Sequence, residues 1–298
     1  MADDTNAPAL RLGAVSYLNT LPVIEGLGKL EGVRLTLTPP SELAPLLEAG
    51  EVDVALCSSV DYTRARAPLS VLPAAGCIAC DGPTMTVRLF SSVPIDAITT
   101  VATDVDSHTS ATLLDVLLRE RWGRRATFEP FDAEAHRALI DAATPGSTRQ
   151  PNWPEAILLI GDKVVTASPP AIHYPHQLDL GEAWHELTGL PFVYAAWMCA
   201  TDRADDPLIA RAAVTLDRQR RRNTARLGWI AEQRGGVRGW PTDLALKYLS
   251  ELLKYEFEAR TESGLKRFFE LAHAHELVPG PPELRLATPA LPAEPAAT

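Results

Sequence analysis

The chain has 298 residues, 46% hydrophobic and 22% charged, enough to bury a sizeable core in one large domain or two lobes. A formal net charge of −10 argues against a nucleic-acid partner, since such proteins neutralise phosphates with basic stripes, and the longest apolar runs fall far short of a bilayer span. Met1 to Pro8 holds neither a basic nor an apolar leader segment, so a cytoplasmic protein with no membrane partner is expected.

Leu10, Leu12 and Val15 read as a first buried strand, after which Ser16, Asn19 and Thr20, with Tyr17 among them, set hydrogen-bonding side chains at its carboxyl end. Open α/β sheets bind ligands at that end, and Pro22 is expected to open a helix whose free N–H groups suit an anion. The same residue types also serve as caps and turns. What favours a site is recurrence. Val33, Leu35 and Leu37 alternate as a strand, and a helix runs from Pro40 to Leu47 until Gly50 ends it. Val52 to Leu56 is the next strand, followed by Ser58, Ser59 and a helix start at Val60-Asp61-Tyr62. Val71 to Ala75 and Thr86 to Phe90 read as strands, the second after the turn Cys80-Asp81-Gly82-Pro83.

Near residue 93 the chain is expected to leave a first lobe, and Val101 to Thr103 begins a second α/β unit. There the polar strand end recurs most clearly, as Asp106, Ser107, His108, Thr109 and Ser110 ahead of a helix with Leu113, Leu114, Leu117 and Leu118 at helical spacing. A strand near Phe128 and Phe131, a short helix from Ala135 to Ala142 and a loop from Thr144 to Pro154 follow. The buried strand Ala156 to Ile160 then runs into Gly161-Asp162-Lys163, and Val193 to Trp197 forms an aromatic strand. Helices are expected from Pro207 to about Arg234, Thr242 to Arg260 and Thr261 to Ala274. The expected organisation is a first lobe over 10–92, a second over 93–198, helical completion of the first over 199–278, and a Pro/Ala-rich disordered tail over 279–298. Three polar strand ends then converge on a cleft between the lobes, where a small-molecule ligand is favoured.

The chain holds no nucleophile elbow, P-loop, dinucleotide fingerprint or zinc-protease helix. Asp81, Asp106, His108, Asp162 and His173 are the titratable candidates for acid or base work. Arg88 and Lys163, with the helix starts, are candidates to neutralise a ligand bearing one or two carboxylates, although Lys163 reads equally as an outer-surface residue. Cys77 and Cys80 have the spacing of a redox pair or half a zinc site, but no second pair or histidine cluster accompanies them, so reduced cysteines and no metal are expected. The run Arg218 to Arg222 reads as a solvated helix face, and Trp184 and Trp197 as core residues or a cleft wall.

Val15-Ser16-Tyr17-Leu18-Asn19-Thr20, Leu159-Ile160-Gly161-Asp162, and Asp179-Leu180-Gly181-Glu182-Ala183-Trp184 through Thr188-Gly189-Leu190-Pro191-Phe192-Val193 together resemble the chorismate dehydratase family of menaquinone biosynthesis by the futalosine pathway. The resemblance runs from about residue 10 to 278. It implies a fold similar to type II periplasmic binding proteins and the loss of water from chorismate to give 3-[(1-carboxyvinyl)oxy]benzoate, with no cofactor. By position in the family motif it implies Asn19 as the catalytic residue. Ser16, Tyr17, Ser58, Ser59, Thr86, Thr109, Ser110, Gly161 and Asp162 are then substrate-binding residues. Lys163 falls outside the inherited pattern. Rival readings are a 1,4-dihydroxy-6-naphthoate synthase-like enzyme of the same pathway and a non-catalytic solute-binding protein. The Ser16-Tyr17-Leu18-Asn19 motif favours the dehydratase.

Overall fold

The computed structural model describes residues 9–104, 107–132, 135, 154–279 and 283–289. The strands are β1 (Leu10–Ala14), β2 (Val33–Leu37), β3 (Val54–Ser58), β4 (Leu69–Val71), β5 (Cys77–Cys80), β6 (Val87–Ser91), β7 (Thr100–Thr103), β8 (Thr127–Pro130), β9 (Ala156–Ile160), β10 (His176–Asp179), β11 (Phe192–Ala200) and β12 (Leu253–Lys254). They form two mixed sheets. The first runs β12-β5-β11-β3-β1-β2 with β4 also on β11, and the second runs β10-β6-β9-β7-β8. Strands β1, β2 and β3 pair in parallel, as alternation with helices requires, whereas β11 returns antiparallel between β3 and β5.

The two-lobed α/β reading holds, but the crossings move. Strand β6, expected in the first lobe, pairs with β9 and β10 at the heart of the second, because its Val87, Leu89 and Phe90 are buried on both faces of that sheet. The chain therefore crosses at 81–86 and returns at 189–191. Asp179 holds the first crossing: its carboxylate accepts from Thr84 N at 3.0 Å and Met85 N at 2.6 Å, and also caps the helix Leu180–Thr188 through Gly181 N and Glu182 N. Met85 sits there at φ 64°, a left-handed conformation rare for a side-chain-bearing residue.

The expected helix over 242–260 is also corrected. It is a short helix, Thr242–Lys247, and a π-turn, Tyr248–Leu252, that leads into β12 beside β5. The helix from Pro207 stops at Thr224. Part of the expected disordered tail is ordered: Val71 N donates to Arg285 O at 2.9 Å, Ala287 N to Val71 O at 2.7 Å, and the Tyr62 hydroxyl donates to Glu283 O and accepts from Arg285 N. Apart from Ala135, the expected helix over 135–142 lies outside the described residues, as does the loop over 144–154 apart from Pro154.

Apolar packing joins the lobes. Trp184, Phe192 and Phe268, all buried, meet edge-to-face with ring centroids 5.0 to 6.2 Å apart, tying the helix Ala259–Ala274 to β11 and to the second lobe. Both tryptophans of the sequence reading, Trp184 and Trp197, are core residues.

A buried ion pair fastens the first lobe. Asp53 accepts from Arg11 N, Nε and Nη2 and from Arg203 Nη1, the shortest contact 2.7 Å. Burial alone would raise the Asp53 carboxyl, but these hydrogen bonds outweigh it and hold it below the usual carboxylate range. A depressed folded-state pKa contributes stability that is present above the unfolded value and lost as pH falls through the folded one. Asp53→Asn is expected to cost about 3 kcal/mol at pH 7, and urea titrations at pH 7 and pH 3 should find the gap to the parent protein smaller at the lower pH.

Candidate active site

A pocket opens where the carboxyl ends of β1, β3 and β9, the crossing at 81–86 and the first turn of the helix His108–Trp122 meet. Its volume is about 80 Å³, small beside the ~300–1,000 Å³ of ordinary ligand sites. Val15, Leu56, Ile78, Val87, Ile160 and Leu253 form apolar walls. The polar lining consists of Tyr17, Asn19, Thr20, Ser58, Thr84, Thr86, Ser107, His108, Thr109, Ser110, Tyr194 and Tyr248. Among the described lining residues none is Asp, Glu, Lys or Arg.

Of the residues expected to bind substrate, the structure brings Tyr17, Ser58, Thr86, Thr109, Ser110 and Gly161 to this pocket together with Asn19. Gly161 turns the chain at φ 59° after β9, its N–H donating to Thr86 O at 2.8 Å, and the Tyr17 ring lies over it. Three expected residues lie elsewhere. Ser16, two residues past the end of β1, is exposed, its hydroxyl accepting from Arg238 Nη2 at 3.3 Å. Ser59 is fully buried and spends its hydroxyl on Val193 O at 2.7 Å, holding β11 rather than a ligand. Asp162 lies behind the pocket wall, accepting from Trp240 Nε1 at 2.9 Å and Leu18 N at 3.4 Å.

The candidate cations are likewise occupied outside the lining. Arg88 pairs with Asp179 at 3.4 Å, and Lys163 pairs with Asp104. Asp81 binds His185 and Arg260, His173 is exposed, and Asp106 lies outside the described residues. Helix starts fare differently from one another. The helices opened by Pro22 and Asp61 are single turns, Leu21–Ile24 and Asp61–Arg64, whereas His108–Trp122 has 15 residues and Ser107 as its N-cap. Ser107 makes no side-chain cap bond, and its Oγ is buried without a partner. That first turn offers N–H and O–H donors and the positive end of a dipole to an anion.

Asn19 stands in the turn Leu18–Thr20, fixed by the Thr20 hydroxyl at 2.9 Å from Val15 O and 2.8 Å from Tyr17 O. Its Oδ1 is buried with no hydrogen-bond partner, and its side chain also meets the Tyr248 hydroxyl. Tyr248 stacks on Trp240 with centroids 5.0 Å apart, and its hydroxyl lies 2.5 Å from Thr86 Oγ1. Burial pushes the Tyr248 and Tyr194 phenols upward, so both are neutral hydrogen-bonding groups. Tyr194 reaches the pocket from a bulge in β11, where the pairing with β5 skips from Val193 to Ala195. Sequence reasoning missed Thr84, Tyr194 and Tyr248 as lining residues. Tyr248 belongs to an amphipathic pattern that reads as core, and nothing local marks a bulge. The Cys80 thiol, pushed by burial up to about 12, lies 3.6 Å from the Tyr194 hydroxyl in β5.

Two α/β lobes with a hydroxyl-lined pocket between them define the periplasmic-binding-protein-like fold. Solved structures similar to this chain include a protein of Archaeoglobus fulgidus at 17% identity, covering 90% of this chain and 98% of that one with a TM-score of 0.63. The alkanesulfonate-binding protein of Xanthomonas axonopodis pv. citri is 16% identical, with coverage of 92% and 96% and a TM-score of 0.60. The menaquinone biosynthesis family matches over residues 10–274, and the chorismate dehydratase of Thermus thermophilus is 31% identical over 278 residues, 87% of this chain and 93% of that one. The chain belongs to this menaquinone biosynthesis family.

Proposed function

We propose that this protein is a chorismate dehydratase, a hydro-lyase that converts chorismate to 3-[(1-carboxyvinyl)oxy]benzoate and one water, in a cytoplasmic setting. Family membership and the similarity to the Thermus thermophilus enzyme support the substrate. The observation that carries the reading is a pocket lined by hydroxyls and by His108, 3.1 Å from Asp61 Oδ1, in which Asn19 Oδ1 is buried and unpartnered. Such a site suits a reaction that needs positioning and anion stabilisation more than a strong protein base.

The ring proton to be removed sits on the carbon bearing the enolpyruvyl ether, conjugated through a double bond to the ring carboxylate. Its removal spreads negative charge onto that carboxylate, where the first turn of the helix His108–Trp122, with Ser107, Thr109 and Ser110, supplies hydrogen-bond donors. The enolpyruvyl carboxylate reaches the proton through a six-membered arrangement and serves as acceptor. The neighbouring ring hydroxyl departs, takes up that proton and leaves as water, and the ring becomes aromatic. Asn19 Oδ1 accepts from that hydroxyl and fixes the ring in one pose, while the close walls exclude the other reactions open to chorismate.

Incubation of the purified protein with chorismate, followed by chromatography and mass measurement, is expected to give an aromatic product lighter by one water. Chorismate recovered unchanged would overturn the assignment and shift weight to a 1,4-dihydroxy-6-naphthoate synthase-like reaction or to a binding protein.

A further inference from the structure

Asp162 has no place on the pocket wall, yet it stands half-buried among groups that hold the wall's central residue. It follows β9 in the second lobe, and both hydrogen bonds to its carboxylate come from the first lobe. One comes from Leu18 N, in the turn that carries Asn19, and the other from Trp240 Nε1, whose ring stacks on Tyr248 at an interplanar angle of 14°. The Tyr248 hydroxyl in turn meets the Asn19 side chain and Thr86. Asn19 is thus held from its backbone side and from its side-chain side by groups that converge on one carboxylate of the opposite lobe.

We infer that Asp162 is a positioning residue: its carboxylate holds Leu18 N–H and the Trp240–Tyr248 stack in place across the two lobes and so sets the Asn19 amide for the reaction. The inference rests on the dehydratase reading and deepens it. It makes the site depend on both lobes, because the Leu18 turn and the indole share one acceptor on the opposite lobe. Burial raises the Asp162 carboxyl while Trp240, Leu18 and Arg238 lower it, consistent with an oxygen that is desolvated for the sake of these donors. The Gly161-Asp162 pair then has two separate tasks, a turn against Tyr17 and a tie across the cleft.

The test is a set of variants that separates positioning from general support. Asp162→Ala is expected to lower kcat about 30-fold with KM within about threefold, whereas Asp162→Asn, which keeps an acceptor oxygen, recovers to within about threefold of the parent kcat. Trp240→Phe keeps the stack and removes only the donor, and reproduces the kcat loss in a second fold-preserving background. In the Asn19→Ala background Asp162→Ala adds less than about twofold, because it acts through Asn19. A full additional loss there, or equal damage from Asn and Ala at 162, would overturn the proposal. A readout independent of chorismate is the side-chain amide pair of Asn19 in 1H–15N spectra, assigned by its loss in Asn19→Ala. The pair is expected to shift in Asp162→Ala and Trp240→Phe and to stay put in Asp162→Asn. If the parent protein leaves chorismate unchanged, the dehydratase reading fails by itself, and an unmoved Asn19 amide pair refutes the tie whatever the substrate.

Discussion

Asn19→Ala is expected to lower kcat on chorismate by about 100-fold or more while the protein keeps its fold and most of its affinity for the substrate. Asn19 is half-buried in a turn whose backbone is fixed by the Thr20 hydroxyl, so truncation leaves the turn standing. What is lost is the unpartnered Oδ1 and the contact with the Tyr248 hydroxyl, that is, the groups that hold the reacting ring in one pose. An interaction made chiefly in the transition state appears in kcat and kcat/KM alike, whereas uniform binding appears in KM alone. Steady-state kinetics with calorimetric titration of chorismate on the variant separate the two. A variant with parent kcat and a raised KM would move Asn19 from the reaction to simple binding.

Gly264→Ala is expected to destabilise the protein by about 3 kcal/mol, even though alanine is the better helix former by about 1 kcal/mol. Gly264 lies within the helix Ala259–Ala274, and a Cβ there would stand 2.0 Å from the carbonyl oxygen of Pro191. That oxygen accepts from Trp184 Nε1 at 3.2 Å, in the aromatic cluster beside the second crossing. The helix or the crossing must shift, and the clash outweighs the propensity. Thermal unfolding should place the midpoint roughly 6 °C or more below the parent. An unchanged midpoint would mean that the helix and the crossing approach less closely in solution.

Periodicity in the chain was enough for the parallel strands β1, β2 and β3 and for the long helix His108–Trp122, because each has an apolar face that only one period satisfies. Strand β10 and the helix Leu180–Thr188 were harder to see. His176 to Asp179 has no clean alternation, and the helix depends on the Asp179 cap. The crossings were displaced because β6 carries buried apolar residues on both faces, Val87 and Leu89 on one and Phe90 on the other, and only pairing with β9 and β10 decides its sheet. The same kind of ambiguity placed Ser16 and Ser59 in the site. Small hydroxyl residues at strand ends are alike in sequence, and one step along a strand reverses the side to which they point.

By itself, then, the sequence determined the two-lobed α/β class and the family, and it named Asn19, Tyr17, Ser58, Thr86, Thr109, Ser110 and Gly161, which line the pocket, alongside Ser16, Ser59 and Asp162, which do not, since local pattern and motif carry residue type but not direction. Tertiary structure alone decided that the pocket holds no Asp, Glu, Lys or Arg among its described lining, that Tyr194 and Tyr248 join it, and that the Asp162 carboxylate bonds Leu18 N and Trp240 Nε1 outside that lining. The physical reason is that each of these depends on a partner far away in the chain: Lys163 is neutralised by Asp104, Arg88 by Asp179, and Asp162 by donors at positions 18 and 240.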